Sequence, residues 1–367
     1  MPHNPEGWLV TVARNRQRDT WKSAAARTRS PWDESRDGAS GPHSPLDEID
    51  PDAIGDRRLE LLFVCAHPAI DPAVRVPLML QVVLGFEAAQ IAAAFALPPA
   101  TVAQRLVRAK RRIRDARIPF GVPSGTMRAE RLPAVLEAVY GCFAIARNDA
   151  DETPHDTPES MAGEGLHLAV TLAVLLENEP EAWSLAALIA LSLSRATARQ
   201  GRFVPLTNQD PGLWDADLIA EGETFLRRAA TVTVGAPGRI QLEAAMQAVH
   251  AARRHTGEVD WPALAQLSAA LVSIAPTLGA RVAQAAITGQ LSGPRAGLAA
   301  LAGINPPPSG FQPYLAVRAE LLAKAGDPDA AAAFTAAANA ATGPVAEYLQ
   351  ARAAVLRNLP SPVHPDS

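Results

Sequence analysis

The sequence has few of the residues that build disulfide scaffolds or metal centres. Only two of its 367 residues are cysteines, Cys65 and Cys142, and both lie in apolar segments. Two cysteines are too few for a disulfide framework or for a cysteine-based zinc site. The composition therefore favours a reducing, cytoplasmic setting, and we expect neither a metal nor another cofactor.

Long hydrophobic runs are also missing, and we expect no secretory leader. The most apolar stretches, residues 167–176 and 185–193, are each shorter than the roughly 20 residues that span a bilayer, and three glutamates lie between them. The first ten residues contain no basic leader followed by an apolar segment. We therefore expect no membrane partner.

Lysine is scarce as well, with only three residues, so arginine carries most of the positive charge. Arginine abundance alone therefore does not indicate nucleic-acid binding, and the position of the charges has to be considered. Residues 1–120 hold 17 basic and 14 acidic side chains, whereas residues 121–367 hold 17 and 24. The first third of the chain is thus its basic part, although the net charge is -4.

Strand-type alternation of apolar and polar residues is also rare, and most of the chain has the spacing of amphipathic helices. We predict an all-α protein, in which a helix-turn-helix domain precedes an α-helical, repeat-like C-terminal domain. Breaks rich in proline, glycine and polar residues divide the chain. We expect a basic helix in residues 1–30, a flexible acidic linker in 31–57, the helix-turn-helix domain in 58–120, a helical extension domain in 126–235 and a tetratricopeptide-like helical region in 239–357.

Residues 72–120 carry the most informative pattern. Gly85 ends one predicted helix, residues 87–94 form a short second helix, and Pro99 begins a third. These lengths and breaks are typical of a helix-turn-helix. Apolar residues on one face of the third helix are expected to pack against the two earlier helices. They are Val102, Leu106, Ala109 and Ile113, and their expected partners are Leu80, Ile91 and Phe95.

The other face of the third helix is basic. Seven basic residues and one acidic residue lie between Pro99 and Ile118, and such a charge attracts DNA phosphates whatever the base sequence. Polar residues near the start of a recognition helix also reach base edges in the major groove. The alternative is a solvated arginine-rich helix end that only offsets the helix dipole. The candidate DNA contacts are Thr101, Gln104, Arg105, Arg108 and Arg112.

Three segments resemble a known family: LELLFVCAHPAI at 59–70, EAAQIAAAFALPPATVAQRLVRAKRRI at 87–113 and IPFGVP at 118–123. They are similar to region 4 of extracytoplasmic-function sigma factors of the sigma-70 family, in the group with a long helical, tetratricopeptide-like C-terminal extension. Residues 202–222 and 241–252 resemble that extension. In the family, region 4 binds the promoter −35 element, so the resemblance assigns the five candidate contacts to it.

Residues 4–29 resemble the end of sigma region 2, whose final helix reads the −10 element. The resemblance makes Asn15, Arg18 and Lys22 candidate contacts to that element, and the N-terminal part of region 2 is expected to be missing. Two functions therefore stay open. One is a sigma-like initiation factor that binds promoter DNA with the RNA polymerase core; the other is a sigma-derived DNA-binding regulator or protein-interaction module that no longer binds core polymerase.

The resemblance also implies that the C-terminal extension regulates the protein, through an unknown protein partner or an intramolecular one. Residues 313–340 have the spacing of packing positions in a tetratricopeptide hairpin. Stacked hairpins of this kind form concave surfaces that bind proteins. The matching positions are Tyr314, Val317, Leu321, Ala330, Phe334 and Ala337.

The extension contains no sequence motif of an enzyme. His250 and His255 lie near three carboxylates, but no HExxH or CxxC spacing accompanies them. We interpret both histidines as helix-surface or capping residues, and Asp210 and Asp215 as helix caps beside a buried Trp214. We therefore expect no catalytic activity.

Overall fold

A computed structural model of the chain describes residues 57–95, 97–115, 125–152, 158–199, 202–305 and 310–358. These residues contain fifteen α-helices, two short 3-10 helices and no strand, which confirms the all-α prediction. The predicted basic N-terminal helix, with Asn15, Arg18 and Lys22, and nearly all of the acidic linker lie outside the described residues. The helices are α1 (Arg57–Cys65), α2 (Pro72–Val82), α3 (Ala88–Ala94), α4 (Pro99–Asp115), α5 (Gly125–Glu152), α6 (Pro158–Leu175), α7 (Pro180–Leu193), α8 (Ala216–Val232), α9 (Arg239–Thr256), α10 (Trp261–Ile274), α11 (Leu278–Ser292), α12 (Pro294–Ala302), α13 (Gln312–Lys324), α14 (Ala330–Asn339) and α15 (Gly343–Arg357), with 3-10 turns at Leu206–Asn208 and Pro211–Leu213.

The described residues divide into two compact units. The first unit comprises the described residues up to Ala138 together with the later segment Glu159–Glu164. The second unit comprises all other described residues from Val139 onward. The first unit contains the helix-turn-helix, and the regular elements of the second, where it is described, are all helices, as the predicted fold class requires. The domain boundaries drawn from the sequence stay predictions.

The first unit has its core between α1, α2, α3 and α4. Arg131 of α5 closes one end of this core, because its Nη1 donates a hydrogen bond of 3.1 Å to the carbonyl of Phe63 near the end of α1. The last carbonyls of a helix have no partner within the helix, so this bond satisfies one of them. The fully buried side chains of the core include Leu59, Leu62, Phe63, Leu78, Met79, Leu80 and Ile91.

In the second unit, α7 is buried on nearly every side and packs against both α8 and α9. Its Glu181 caps α9, since the carboxylate accepts hydrogen bonds from the backbone N–H groups of Ile240, at 3.0 Å, and Gln241, at 3.1 Å. A carboxylate at a helix N-terminus satisfies free N–H groups and matches the helix dipole. This contact fixes the start of α9 against α7.

From α9 to α15, each helix packs against the helix that follows it in the chain. Such sequential packing is typical of stacked helical hairpins. Among the positions that suggested a tetratricopeptide hairpin, Leu321, Ala330, Phe334 and Ala337 are buried, whereas Tyr314 and Val317 are partly buried beside Leu321. The tetratricopeptide assignment itself stays a prediction.

Candidate nucleic-acid interface

The turn between α2 and α3 depends on a glycine. Gly85 has a φ of 81°, a left-handed conformation that glycine adopts without the steric cost of a side chain. The chain then reverses, and the N–H of Phe86 donates to the carbonyl of Leu80 at 3.0 Å. Glu87 begins α3 with a capping box, in which the side chain of Gln90 accepts a hydrogen bond from the Glu87 N–H at 2.9 Å.

The turn between α3 and α4 is closed by backbone hydrogen bonds on both sides. The N–H of Leu97 donates to the carbonyl of Ala92 at 2.9 Å, and the carbonyl of Pro98 accepts from the N–H groups of Thr101 and Val102 at 2.9 and 3.3 Å. Pro99 is the first residue of α4, a position where its missing N–H costs nothing. The direction of α4 relative to α3 is therefore set by the backbone.

The inner face of α4 packs against α2 and α3. Val102 and Leu106 are each only 2% exposed, and Ala109 and Ile113 are partly buried. The prediction that Phe95 belongs to this core is wrong, because its side chain is 41% exposed. Phe95 is the C-cap of α3, so the chain leaves the helix there and the side chain no longer follows the buried face.

The outer face of α4 carries the predicted DNA contacts. Gln104, Arg105 and Arg108 are exposed and Thr101 is partly exposed. Within the described residues, the side chains of Gln104, Arg105 and Arg108 form neither a hydrogen bond nor an ion pair. The positive charges of the two arginines are therefore not neutralised by neighbouring side chains in this part of the chain, which is the condition that an electrostatic contact with phosphate requires.

Arg112 differs from the other four candidates because part of its guanidinium is already bound. Its Nε donates a hydrogen bond of 3.1 Å to the carbonyl of Ala69, in the loop between α1 and α2. Nearby, Lys110 Nζ donates to Gln81 Oε1 at 2.7 Å. Together these bonds hold the second half of α4 against α2 and the preceding loop.

The candidate set drawn from the sequence omitted Arg111. Its side chain is 79% exposed, and its contact of 3.5 Å with Asp115 joins two exposed groups, so the pair contributes little to stability. Arg111 follows Val102 by nine residues, or about two and a half helical turns. This spacing places it opposite the buried face and could have identified it from the sequence.

In the second unit, the structure confirms the two predicted caps and the buried tryptophan. Asp210 accepts a hydrogen bond from the Gly212 N–H at 2.8 Å, and Asp215 caps α8. Trp214 is 2% exposed.

The interpretation of His250 as a surface or capping residue is wrong, because the segment before α8 covers that side of α9. His250 is partly buried and lines a cavity with Trp214 and Trp261, whereas His255 is exposed. Burial first, and then the positive charges of Arg195 and Arg253, lower the pKa of His250 to about 4.

The described residues show neither a metal-binding cluster nor a helix that could cross a membrane. No group of three or more histidine, cysteine, aspartate or glutamate side chains is placed there to hold a metal ion. Among the described helices, none combines the length and the apolar composition that a bilayer crossing requires.

The comparisons with known proteins match two parts of the chain to families. Residues 61–113, from α1 to near the end of α4, match the family described as "Sigma-70, region 4". Residues 131–230 match a "Family of unknown function (DUF6596)". The chain is also similar to "Uncharacterized protein R00370" of Rhizobium meliloti (strain 1021), with 33% identity over 329 residues, or 89% of this chain and 77% of that protein. No solved structure matches the chain.

Proposed function

We propose that the chain is a sigma-like transcription initiation factor of the extracytoplasmic-function group of the sigma-70 family, and the match of residues 61–113 to sigma-70 region 4 supports this proposal. In this proposal α4 is the recognition helix of region 4 and binds the promoter −35 element. The RNA polymerase core is the proposed protein partner. The region 4 match favours a DNA-binding transcription factor over an enzyme.

The observation that carries the proposal is the outer face of α4. Arg105 and Arg108 are exposed there without a partner in the described part of the chain, so their guanidinium groups are free to contact DNA. Thr101 and Gln104 lie in the first turns of the helix, where recognition helices contact base edges. The helix, about 10–12 Å across, fits a major groove that is about 12 Å wide.

The five candidates have different proposed roles. Gln104 and Arg105 have the hydrogen-bonding groups that read adenine and guanine edges in the major groove, with Thr101 beside them. Arg108 is further along the helix and serves a phosphate. The charge of Arg112 is proposed to attract DNA, while its Nε, bonded to the carbonyl of Ala69, holds α4 in position.

The remaining parts of the proposal rest on the resemblance in sequence. Asn15, Arg18 and Lys22 are proposed contacts to the −10 element. The helical extension, which we propose to be tetratricopeptide-like, regulates DNA or polymerase binding through a protein or intramolecular partner. We place the protein in the cytoplasm, where its two buried cysteines stay reduced.

The alternative is a sigma-derived DNA-binding regulator or protein-interaction module that does not bind core polymerase. The family match supports it as well, because the matched residues 61–113 cover only the DNA-binding region 4. The two proposals differ in one property, which is dependence on polymerase.

A pull-down of purified core RNA polymerase with the 367-residue chain separates them. Binding, followed by transcription from a promoter selected with the same chain, is expected for the initiation factor. Absence of polymerase binding, together with sequence-specific DNA binding, would establish the regulator. If neither DNA nor polymerase is bound, both proposals are refuted.

The role of α4 is tested by selecting DNA sites from a random library. Arg105→Ala is expected to relax the preference at about one base pair, with a discrimination loss of about 1–3 kcal/mol. Arg108→Ala is expected to weaken binding to all sites about equally. The matched control is Arg227→Ala in α8, which removes one exposed positive charge outside the first unit and should leave the selected sequences unchanged.

A further inference from the structure

The segment between α7 and α8 is irregular, yet two consecutive arginines of α9 hold it in place. Arg253 donates from Nη1 to the carbonyl of Leu206 at 2.8 Å and from Nη2 to that of Gln209 at 2.9 Å. Arg254 Nη1 lies within hydrogen-bond distance of the carbonyls of Pro211, Gly212 and Trp214. Charged donors form stronger hydrogen bonds than neutral ones, so this segment has a defined position over α9.

A cavity lies beneath the ordered segment, and we call it the Trp214 cavity. It measures about 150 Å³, and its walls include Leu206, Trp214, His250, Val259 and Trp261. A wider depression of about 350 Å³ adjoins it and shares Arg253, Val259 and Trp261. An engineered apolar cavity of about 150 Å³ in another protein holds benzene, so the Trp214 cavity has room for one aromatic ring.

Aromatic side chains make up much of the wall. The rings of His250 and Trp261 meet edge to face, with centroids 6.4 Å apart at 80°. The guanidinium of Arg253 lies 5.8 Å from the centroid of the Trp214 ring. A flat aromatic ligand would find here both ring faces and ring edges, which are the contacts that aromatic groups prefer.

Two polar atoms of the lining residues are buried without a hydrogen bond. Trp214 Nε1 and His250 Nδ1 have no partner among the described residues. Buried polar atoms are nearly always paired, and an unpaired one is destabilising. A bound molecule with a complementary group would give these two atoms the partners that they lack.

The chemistry of these two atoms restricts the ligand. An indole N–H only donates, so the ligand must carry an acceptor for Trp214. At neutral pH His250 is uncharged, because burial and the nearby Arg195 and Arg253 lower its pKa to about 4. The same two arginines make the surroundings positive, which favours an oxygen acceptor over a cationic group.

We propose that the Trp214 cavity is a binding site for a small molecule with one aromatic ring and an oxygen acceptor. The ring would occupy the space between Trp214 and Trp261, and the oxygen would accept a hydrogen bond from Trp214 Nε1. The proposal goes beyond the function proposed above and does not depend on it, since it requires neither DNA nor polymerase. The competing state is a cavity that holds ordered water only.

The test is titration of the full chain, labelled with ¹⁵N on tryptophan, with phenol, benzoate and toluene. Phenol or benzoate is expected to bind at one site with a dissociation constant in the millimolar range or tighter, as their size allows. The indole N–H signal of Trp214 should move as the site fills. Trp183 is an internal control, because its Nε1 already donates to the carbonyl of Glu177 at 3.0 Å, and its signal should stay in place.

The requirement for an oxygen acceptor on the ligand is tested with toluene, which has the aromatic ring but no oxygen. It should bind at least about tenfold more weakly, because the Trp214 N–H would stay unpaired. Trp214→Phe should reduce the affinity for phenol or benzoate by about tenfold, while Trp183→Phe leaves it unchanged. Should Trp214→Phe fail to fold, the signals of the unmodified chain still decide the question.

Three results would overturn the proposal. The first is no saturable shift of the Trp214 signal with phenol or benzoate through the millimolar range, which indicates a cavity filled by water only. The second is equal movement of the Trp183 and Trp214 signals, which indicates nonspecific binding. The third is toluene binding as tightly as phenol and benzoate, which removes the role of the acceptor.

Discussion

Arg254 is predicted to keep the segment before α8 folded, and Arg254→Met tests this role. Methionine retains most of the apolar stem of arginine but has no donor for the carbonyls of Pro211, Gly212 and Trp214, which lie 2.8, 3.1 and 2.8 Å from Nη1. A hydrogen bond from a charged donor contributes about 1.5–3 kcal/mol. One nitrogen serves all three carbonyls and one of the bonds is exposed, so we expect a total loss of about 2–3 kcal/mol.

Hydrogen exchange measured by mass spectrometry is the suitable assay, because it reports local opening rather than unfolding of the whole chain. Peptides covering residues 206–219 are expected to exchange about 30- to 150-fold faster in the variant, the factor that corresponds to this free energy. The matched control is Arg227→Met, which removes an exposed arginine that contacts Glu223 at 3.7 Å and should change exchange by less than about threefold. Unchanged protection of residues 206–219 in Arg254→Met would refute the reasoning.

Two further predictions concern packing and pH. Gly297→Ala places a Cβ 2.9 Å from Gly289 Cα and 3.0 Å from a carbonyl oxygen of α11, so we expect a net loss of about 1–2 kcal/mol in urea unfolding. In Gly279→Ala the added Cβ meets open space, so the free energy of unfolding should rise by up to about 1 kcal/mol. A decrease in both variants, or in neither, would contradict the packing at Gly297. His250 has a pKa of about 4 in the folded chain, below its ordinary 6.5. As the pH falls, the unfolded chain therefore binds this proton before the folded chain does, and stability is lost between about pH 6.5 and about pH 4. The loss attributable to His250 is at most about 3 kcal/mol, and His250→Gln should flatten this part of the pH dependence of unfolding.

Local signals in the sequence predicted the helix-turn-helix because each of its turns is specified by adjacent residues. Gly85 adopts the left-handed turn, and Pro99 begins α4. Val102 and Leu106 follow the helical period onto the buried face. In each case the residue and the structure it determines lie within one or two helical turns.

Contacts between distant parts of the chain could not be predicted in this way. Glu181 caps a helix that begins about sixty residues later, and no local pattern indicates such a partner. His250 is buried by a segment about forty residues before it, which Arg253 and Arg254 hold in place. Phe95 fits the helical period but lies where the helix ends, so the pattern predicted burial and the structure exposes it.

The central claim is that the outer face of α4 binds DNA, and the salt dependence of binding tests it most directly. The measurement compares the 367-residue chain with Arg105→Ala, Arg108→Ala and the control Arg227→Ala on a duplex with the selected sequence and on an unrelated duplex, at several salt concentrations. Binding is expected to weaken with salt, and Arg108→Ala should reduce the magnitude of the slope of log K against log salt by about one, because it loses one phosphate contact. Arg105→Ala removes a proposed base contact and should weaken binding to a duplex with the selected sequence more than binding to an unrelated duplex. An unchanged slope in Arg108→Ala, or an equal change in the control, would contradict the claim.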